Sequence, residues 1–133
     1  MEAAKVNAGH VWTRSAWCAE ADELIGPLIE ADRAGVLADI AAGLSYLFMV
    51  TGPEYGGCFL FRFFENHVGE TVAFVIAFNG RNAGAGLPYL AALSKKAGAA
   101  ELVCTTEQEA VARLYRRQGW RVSEYELTYD LRT

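Results

Sequence analysis

The spacing of apolar residues changes period along the chain, and each change marks a different kind of element. From Ser15 onward, Trp17, Ala21, Leu24, Ile25 and Leu28 recur at three- and four-residue intervals, which predicts a helix with Ser15 at its N-cap. Gly26-Pro27 interrupts that pattern, because a proline inside a helix costs about 3 kcal/mol. Pro27 is therefore expected to open a second short helix toward Arg33, with a third helical stretch over 36–42. The period then shortens. Residues 44–51 are aromatic and β-branched, 58–64 are apolar except for Arg62, and 70–78 repeat that character, with turn residues between them. Three such strands predict an antiparallel meander. The run 58–64, broken only by Arg62, suggests a strand buried on both faces, although a buried helix has the same pattern. Residues 5–12 read as a short first strand or a loose arm.

After residue 78 the order becomes glycine-rich loop (79–86), helix (87–97), strand (101–105), helix (108–118) and one long closing strand (120–131). The strand at 70–78, the helix and the strand at 101–105 form a βαβ unit, so those two strands are expected to be parallel. The helix over 108–118 buries Val111, Leu114 and Tyr115, and Gly119 ends it in the left-handed conformation.

The loop Asn79-Gly80-Arg81-Asn82-Ala83-Gly84-Ala85-Gly86 joins a strand to a helix, an arrangement that gathers backbone N–H groups around an anion. Two phosphate-binding patterns fail on spacing. A P-loop needs Gly-Lys-Ser/Thr, but Gly86 is followed by Leu87 and Pro88; the dinucleotide fingerprint from Gly84 and Gly86 meets Tyr89 at its third glycine. The remaining pattern, Arg81-x-x-Gly84-x-Gly86, resembles the Arg/Gln-x-x-Gly-x-Gly/Ala signature with which GNAT acetyltransferases hold the pyrophosphate of acetyl-CoA. Downstream, Leu114-Tyr115-Arg116-Arg117-Gln118-Gly119-Trp120 resembles that family's Leu-Tyr-x-x-x-Gly-Phe helix ending. The likeness covers 70–131 well and the first half of the chain loosely.

This resemblance implies an α+β fold of three layers (α/β three-layer): a GNAT-like mixed sheet, the meander followed by the βαβ unit, with helices on both faces. It implies acetyl-CoA as co-substrate and no metal. The cofactor would be held by Phe78, Arg81, Asn82, Ala83, Gly84, Ala85, Gly86, Leu87 and Gln108, chiefly through the amides from Asn82 to Leu87. Arg81 could add charge to a phosphate or lie on the surface, and Lys95 and Lys96 read as complements of a helix dipole. Tyr115 falls at the family position that protonates the departing thiolate; as a plain residue it reads equally as core. Glu70 is the candidate general base, with Glu65 and His67 as alternatives. The implied reaction is N-acetyl transfer to an amine by direct attack, and the alternative is a GNAT-like binding or regulatory module without turnover. Gln108 and Val111 stand where the family often has Asn and Ala.

Composition narrows the setting. A chain of 133 residues with 53% hydrophobic and 21% charged residues suits one domain over 1–133. The apolar runs are too short for a membrane span and the N-terminus lacks a signal-like pattern, so a soluble cytoplasmic protein is expected. Residues 1–80 carry four Lys/Arg against ten Asp/Glu, and 81–133 carry eight against six. A positive cradle half suits a polyphosphate cofactor and an acidic first half suits a cationic amine, whether small molecule or peptide. The absence of a basic stripe with interleaved aromatics argues against nucleic acid. Cys18, Cys58 and Cys104 read as small buried hydrophobes rather than disulfide or zinc ligands. The aromatic segment 125–129 is the place where a second copy could pair to make a homodimer.

Overall fold

The computed structural model describes residues 9–105, 113, 115–117, 119–123 and 126–132. Seven strands, β1 (Val11–Ser15), β2 (Ser45–Thr51), β3 (Gly57–Glu65), β4 (Thr71–Asn79), β5 (Glu101–Thr105), β6 (Arg121–Ser123) and β7 (Glu126–Asp130), lie in the order β1-β2-β3-β4-β5-β7-β6. The helices are α1 (Ala19–Ile25), α2 (Arg33–Ala41) and α3 (Leu87–Lys96), with 3-10 segments at Gly26–Asp32 and Ala83–Gly86. Mixed sheet, meander and βαβ unit are all present, as the α+β reading expected. The chain divides into two compact units, Met1–Arg62 with Ile76–Tyr89, and Phe63–Val75 with Leu90–Thr133.

In the first unit β1 pairs antiparallel with β2 from Val11↔Thr51 to Ser15↔Leu47, and β2 pairs antiparallel with β3 from Ser45↔Arg62 to Val50↔Gly57. One sheet face carries Leu47, Cys58, Leu60 and Ala77, and α1 and the 3-10 segment bury Ala21, Ile25 and Ile29 in the same cluster. The opposite face is aromatic. Trp12, fully buried, packs on Phe59 (centroids 4.6 Å apart) and on Tyr89 of α3 (5.2 Å), and its indole N–H donates to Tyr55 Oη at 3.2 Å. Cys58, Phe59, Leu60 and Phe61 are all buried while Phe64 is exposed, so β3 is covered on both faces only over its first half.

The helical breaks fall close to the sequence reading. Pro27 stands in the first turn of a 3-10 segment, where its missing N–H costs nothing. Ser15, however, is not an N-cap. It ends β1, its hydroxyl bonds the Ala16 carbonyl at 2.7 Å, and α1 starts four residues later behind Cys18 without a side-chain cap. The apolar period extended the helix backward through residues that the edge strand claims for its ladder with β2.

In the second unit the start of β4 runs parallel to β5, from Val72↔Glu101 to Val75↔Cys104, and β5 pairs antiparallel with β7. Trp120 does not begin one long strand. Arg121–Ser123 and Glu126–Asp130 are two antiparallel strands in register Ser123↔Glu126, so the chain reverses there. The segment 123–126 contains no Gly, Pro or Asn, so nothing in the sequence separates the two strands. β7 is consequently flanked by β5 and β6, and the sheet edge foreseen at 125–129 for a second copy belongs to β6. Arg113 and residues 115–117 are helical. Gly119 has φ 93°, its N–H bonds the Arg116 carbonyl at 3.2 Å, and the Trp120 N–H bonds the Tyr115 carbonyl at 3.1 Å, the paired bonds of a Schellman ending.

Candidate functional site

The glycine loop is built by a loop that precedes it by nearly thirty residues. Arg81 turns its guanidinium onto backbone, Nη2 donating to the Gly52 carbonyl at 2.5 Å and Nη1 to the Pro53 carbonyl at 3.0 Å, while Asn82 Nδ2 donates to the Glu54 carbonyl at 3.2 Å. The Gly56 N–H returns a bond to the Arg81 carbonyl at 3.0 Å. That earlier loop is itself fixed from β1's side. His10, fully buried, accepts from the Glu54 and Tyr55 N–H groups at Nε2 (3.1 and 3.2 Å) and stacks on the Tyr55 ring at 3.9 Å. Nε2 is thus the ring nitrogen that holds the loop, through two backbone donors.

The unusual backbone in this loop is not where the sequence pattern put it. Gly80 has φ 145° and Asn82, a non-glycine, has φ 51°; Asn tolerates that left-handed geometry better than most residues. Gly84 and Gly86 lie in the 3-10 segment Ala83–Gly86 that runs into α3. Gly86 is bare for packing: a Cβ there would meet Phe59 Cζ and Tyr55 Cε2, both at 2.8 Å, and Trp12 Cζ2 at 3.2 Å. The expectation that Gly86 serves close approach of a phosphate is thus joined by a second demand, room for three aromatic rings.

Within this segment the Ala85 N–H bonds the Asn82 carbonyl at 3.1 Å and the Leu87 N–H bonds the Gly84 carbonyl, and the first turns of the 3-10 segment and of α3 contain no acidic residue. A helix start without acidic residues favours negative charge, and Arg81 braces the loop that leads into it. Phe78 stacks on Phe59 with centroids 5.5 Å apart and planes within 2°. Gln108 lies outside the described residues. On the α1 side of the same strand ends is a cavity of about 330 Å³, lined by Glu20, Leu24, Val50, Thr51, Gly52, Gly56, Gly57, Gly80 and Arg81. Its glycine floor is closely packed, since a Cβ on Gly57 would run into the Asn79 and Gly80 backbone. Asn79 Nδ2, donating to the Leu24 carbonyl at 2.9 Å, ties α1 over it. Sequence reasoning missed Glu20 and the 52–57 loop as parts of this site, because only the β2–β3 turn geometry brings them to the glycine loop.

The two residues expected to carry chemistry lie in the second unit. The Glu70 carboxylate receives two bonds from Arg132, at 2.6 and 2.9 Å, and one from Asn66 Nδ2 at 3.3 Å. Arg132 also bonds Asp130 at 3.0 Å and Glu101 at 3.3 Å. The Arg132 and Asn66 hydrogen bonds hold Glu70 below the usual carboxylate range, which suits an ion pair and makes it a poor acceptor of protons. Glu70 is here a partner of Arg132, a bond that sequence could not foresee across 62 residues. Tyr115 is buried with its ring 5.7 Å from Trp120, and burial, with Cys104 nearby, pushes its hydroxyl above the usual tyrosine value. Burial likewise pushes the thiols of Cys58 and Cys104 up to about 12, as expected of cysteines acting as small hydrophobes. Among the described residues no group of three or more His, Cys, Asp or Glu could hold a metal ion, and no helix is long and apolar enough to cross a membrane.

No protein-family model matches this sequence, and no curated protein matches it. Solved structures do match its fold. A GNAT-family acetyltransferase structure from Desulfovibrio desulfuricans superposes with a TM-score of 0.63 at 11% identity, covering 92% of this chain and 99% of the other. FeeM, an N-acyl amino acid synthase from uncultured soil microbes, gives 0.65 at 10% identity, covering 92% and 90%. AtaT, solved with acetyl-methionyl-tRNAfMet, gives 0.54 at 9% identity, covering 91% and 94%. The chain has the GNAT acetyltransferase fold.

Proposed function

We propose that this protein is an acetyl-CoA-dependent N-acetyltransferase that moves an acetyl group to an amine by direct attack, without a covalent enzyme intermediate. The observation that carries the reading is the coincidence of a GNAT fold with a braced, acid-free helix start at the carboxyl end of β4. In this reading the segment from Asn82 to Leu87 holds the pyrophosphate of acetyl-CoA, through those of its amides not already bonded to the Asn82 and Gly84 carbonyls, and the thioester supplies the activated acetyl group. Phe78 lines the approach at the end of β4, and Gln108 is retained as a further contact from the sequence resemblance. The glycine-floored cavity beside α1 receives the acceptor, and the Glu20 carboxylate that lines it suits an ammonium. Tyr115 as the group that donates to the departing thiolate rests on the sequence resemblance alone. Glu70, committed to Arg132, gives way to water as the acceptor of the amine's proton.

A second reading, a GNAT-like module that binds without turnover, draws support from that ion pair and from the raised Tyr115 hydroxyl. A thermal-shift comparison of acetyl-CoA, coenzyme A, ATP and NAD tests the common part: stabilisation by the two thiol-bearing ligands and by neither of the others is expected. Release of free thiol from acetyl-CoA on adding primary amines then separates enzyme from module. No response to acetyl-CoA would remove both.

A further inference from the structure

The cavity beside α1 has two walls of opposite charge. On one side α1 presents Glu20 and Leu24, four residues apart and so on one helix face, while Ala21 and Ile25 turn into the core beneath. Glu20 is exposed, and its carboxylate is near the floor: burial is the largest cause of the raised Cys58 thiol, but Glu20 contributes to it as well, and Cys58 follows Gly57 in β3. On the other side stands the Arg81 guanidinium, held by the Gly52 and Pro53 carbonyls. A Cβ on Gly56, itself a wall residue, would stand 3.8 Å from Nη2 of Arg81, so the charged end of that side chain belongs to the wall.

Neither charge is answered within the protein. Among the described residues no cation pairs with Glu20 and no carboxylate pairs with Arg81. Neutral carbonyl acceptors leave a guanidinium its charge, and the two bonds occupy two of its five N–H groups. We infer that this cavity takes a small amino acid, its ammonium toward Glu20, its carboxylate toward Arg81 and an apolar side chain against Leu24. Calling that amino acid the acetyl acceptor rests on the transferase reading given above.

Size and charge together exclude simpler ligands. A volume of about 330 Å³ is at the small end of small-molecule sites, so an occupant meets both walls. An amine without a carboxylate is attracted by Glu20 and repelled by Arg81, and a carboxylate without an amine has the reverse fate. Like charges set against each other are penalised and opposite ones favoured, so a zwitterion gains at both ends. The glycine floor places no side chain between such a ligand and the two charges. In the transfer the amine nitrogen forms a C–N bond to the acetyl carbon as the thioester C–S bond breaks. Of the two protons that the ammonium gives up, one passes to water and one ends on the thiol.

The test titrates L-leucine into the intact protein and follows amide chemical shifts, beside 3-methylbutylamine, which lacks the carboxylate, and 4-methylpentanoate, which lacks the amine. Leucine is expected to shift the amides of Glu20, Leu24, Gly57, Gly80 and Arg81 and to bind at least about tenfold more tightly than either counterpart. Glu20→Gln, at an exposed position, should melt like the parent. In that variant leucine and 3-methylbutylamine should bind at least about fivefold more weakly, while 4-methylpentanoate binds more tightly; a merely structural role for Glu20 would weaken all three together. Thiol release from acetyl-CoA should likewise favour leucine over 3-methylbutylamine by at least about tenfold in kcat/KM. Leucine binding at these amides without thiol release would uphold the cavity assignment and remove the transferase reading. Thiol release that 3-methylbutylamine supports as well as leucine, amide shifts confined to other parts of the chain, or equal weakening of all three ligands in Glu20→Gln would overturn the inference.

Discussion

Replacing Gly86 by alanine separates a glycine kept for packing from one kept for a ligand. The new methyl group would sit 2.8 Å from both Phe59 Cζ and Tyr55 Cε2, inside van der Waals contact, among rings that already hold Trp12. Overpacking of this kind costs about 1–3 kcal/mol. The opposing term is the lower conformational freedom of an unfolded chain with alanine in place of glycine, about 0.4–1 kcal/mol. A net loss of about 0.5–2 kcal/mol follows, equivalent to a fall in melting temperature of about 2–10 °C for a chain of this size. Calorimetry or urea unfolding followed by circular dichroism measures it. Phe59→Leu removes the ring edge that the methyl strikes, so a double-mutant cycle should show the two substitutions compensating by at least about 0.5 kcal/mol. A Gly86→Ala protein that melts like the parent and has lost only acetyl-CoA affinity would refute the packing account and restore Gly86 to the ligand.

Three further outcomes follow from the same geometry. His10→Ala strands the Glu54 and Tyr55 N–H groups and removes a fully buried ring, so urea unfolding should report a loss of about 2–4 kcal/mol, whereas a loss under about 1 kcal/mol would mean that the loop does not depend on it. Arg132→Gln should flatten the acid side of the stability profile: Glu70 and Asp130 are held below their usual range, so their contribution is present above the unfolded carboxylate range and lost as pH falls through the lowered values. Parent and variant melting curves should therefore converge toward low pH, and a gap that stays constant with pH would contradict the ion-pair assignment. Tyr115→Phe keeps the ring against Trp120, so melting should change little while turnover, measured as thiol release, falls at least about tenfold; because burial raises the hydroxyl, the parent's loss of activity at high pH should begin above the usual tyrosine range, and unchanged turnover would leave Tyr115 as core.

The sequence was most legible where local chemistry and the final fold agree. Residues 44–51, 58–64 and 70–78 became β2, β3 and β4 within a residue or so at each end, because their content and their turns act over short distances. Gly119 ends its helix as read, since a left-handed C-terminal position strongly favours glycine. Ser15 and the 121–130 hairpin were misread for opposite reasons. A period-3.6 pattern extended into an edge strand in one case, and in the other two paired strands follow each other with no Gly, Pro or Asn between them. The site divides the same way: the position of the glycine loop was visible, but the partners of its side chains were not. Arg81 and Glu70 looked like free charges because Pro53 and Arg132 are 28 and 62 residues away.

The bond between His10, the 52–57 loop, Arg81 and Asn82 makes the glycine loop a joint as well as a receptacle. Its shape is imposed by the protein's own carbonyls and amides, so the cost of arranging it falls on folding and none is left for a ligand to supply. The same wiring means that an arginine and glycines at this spacing could persist in a lineage whose members had stopped using any cofactor, because losing them would undo a turn before it undid a reaction. In this chain the signature is a record of architecture first, and a ligand that fits it inherits a place already made.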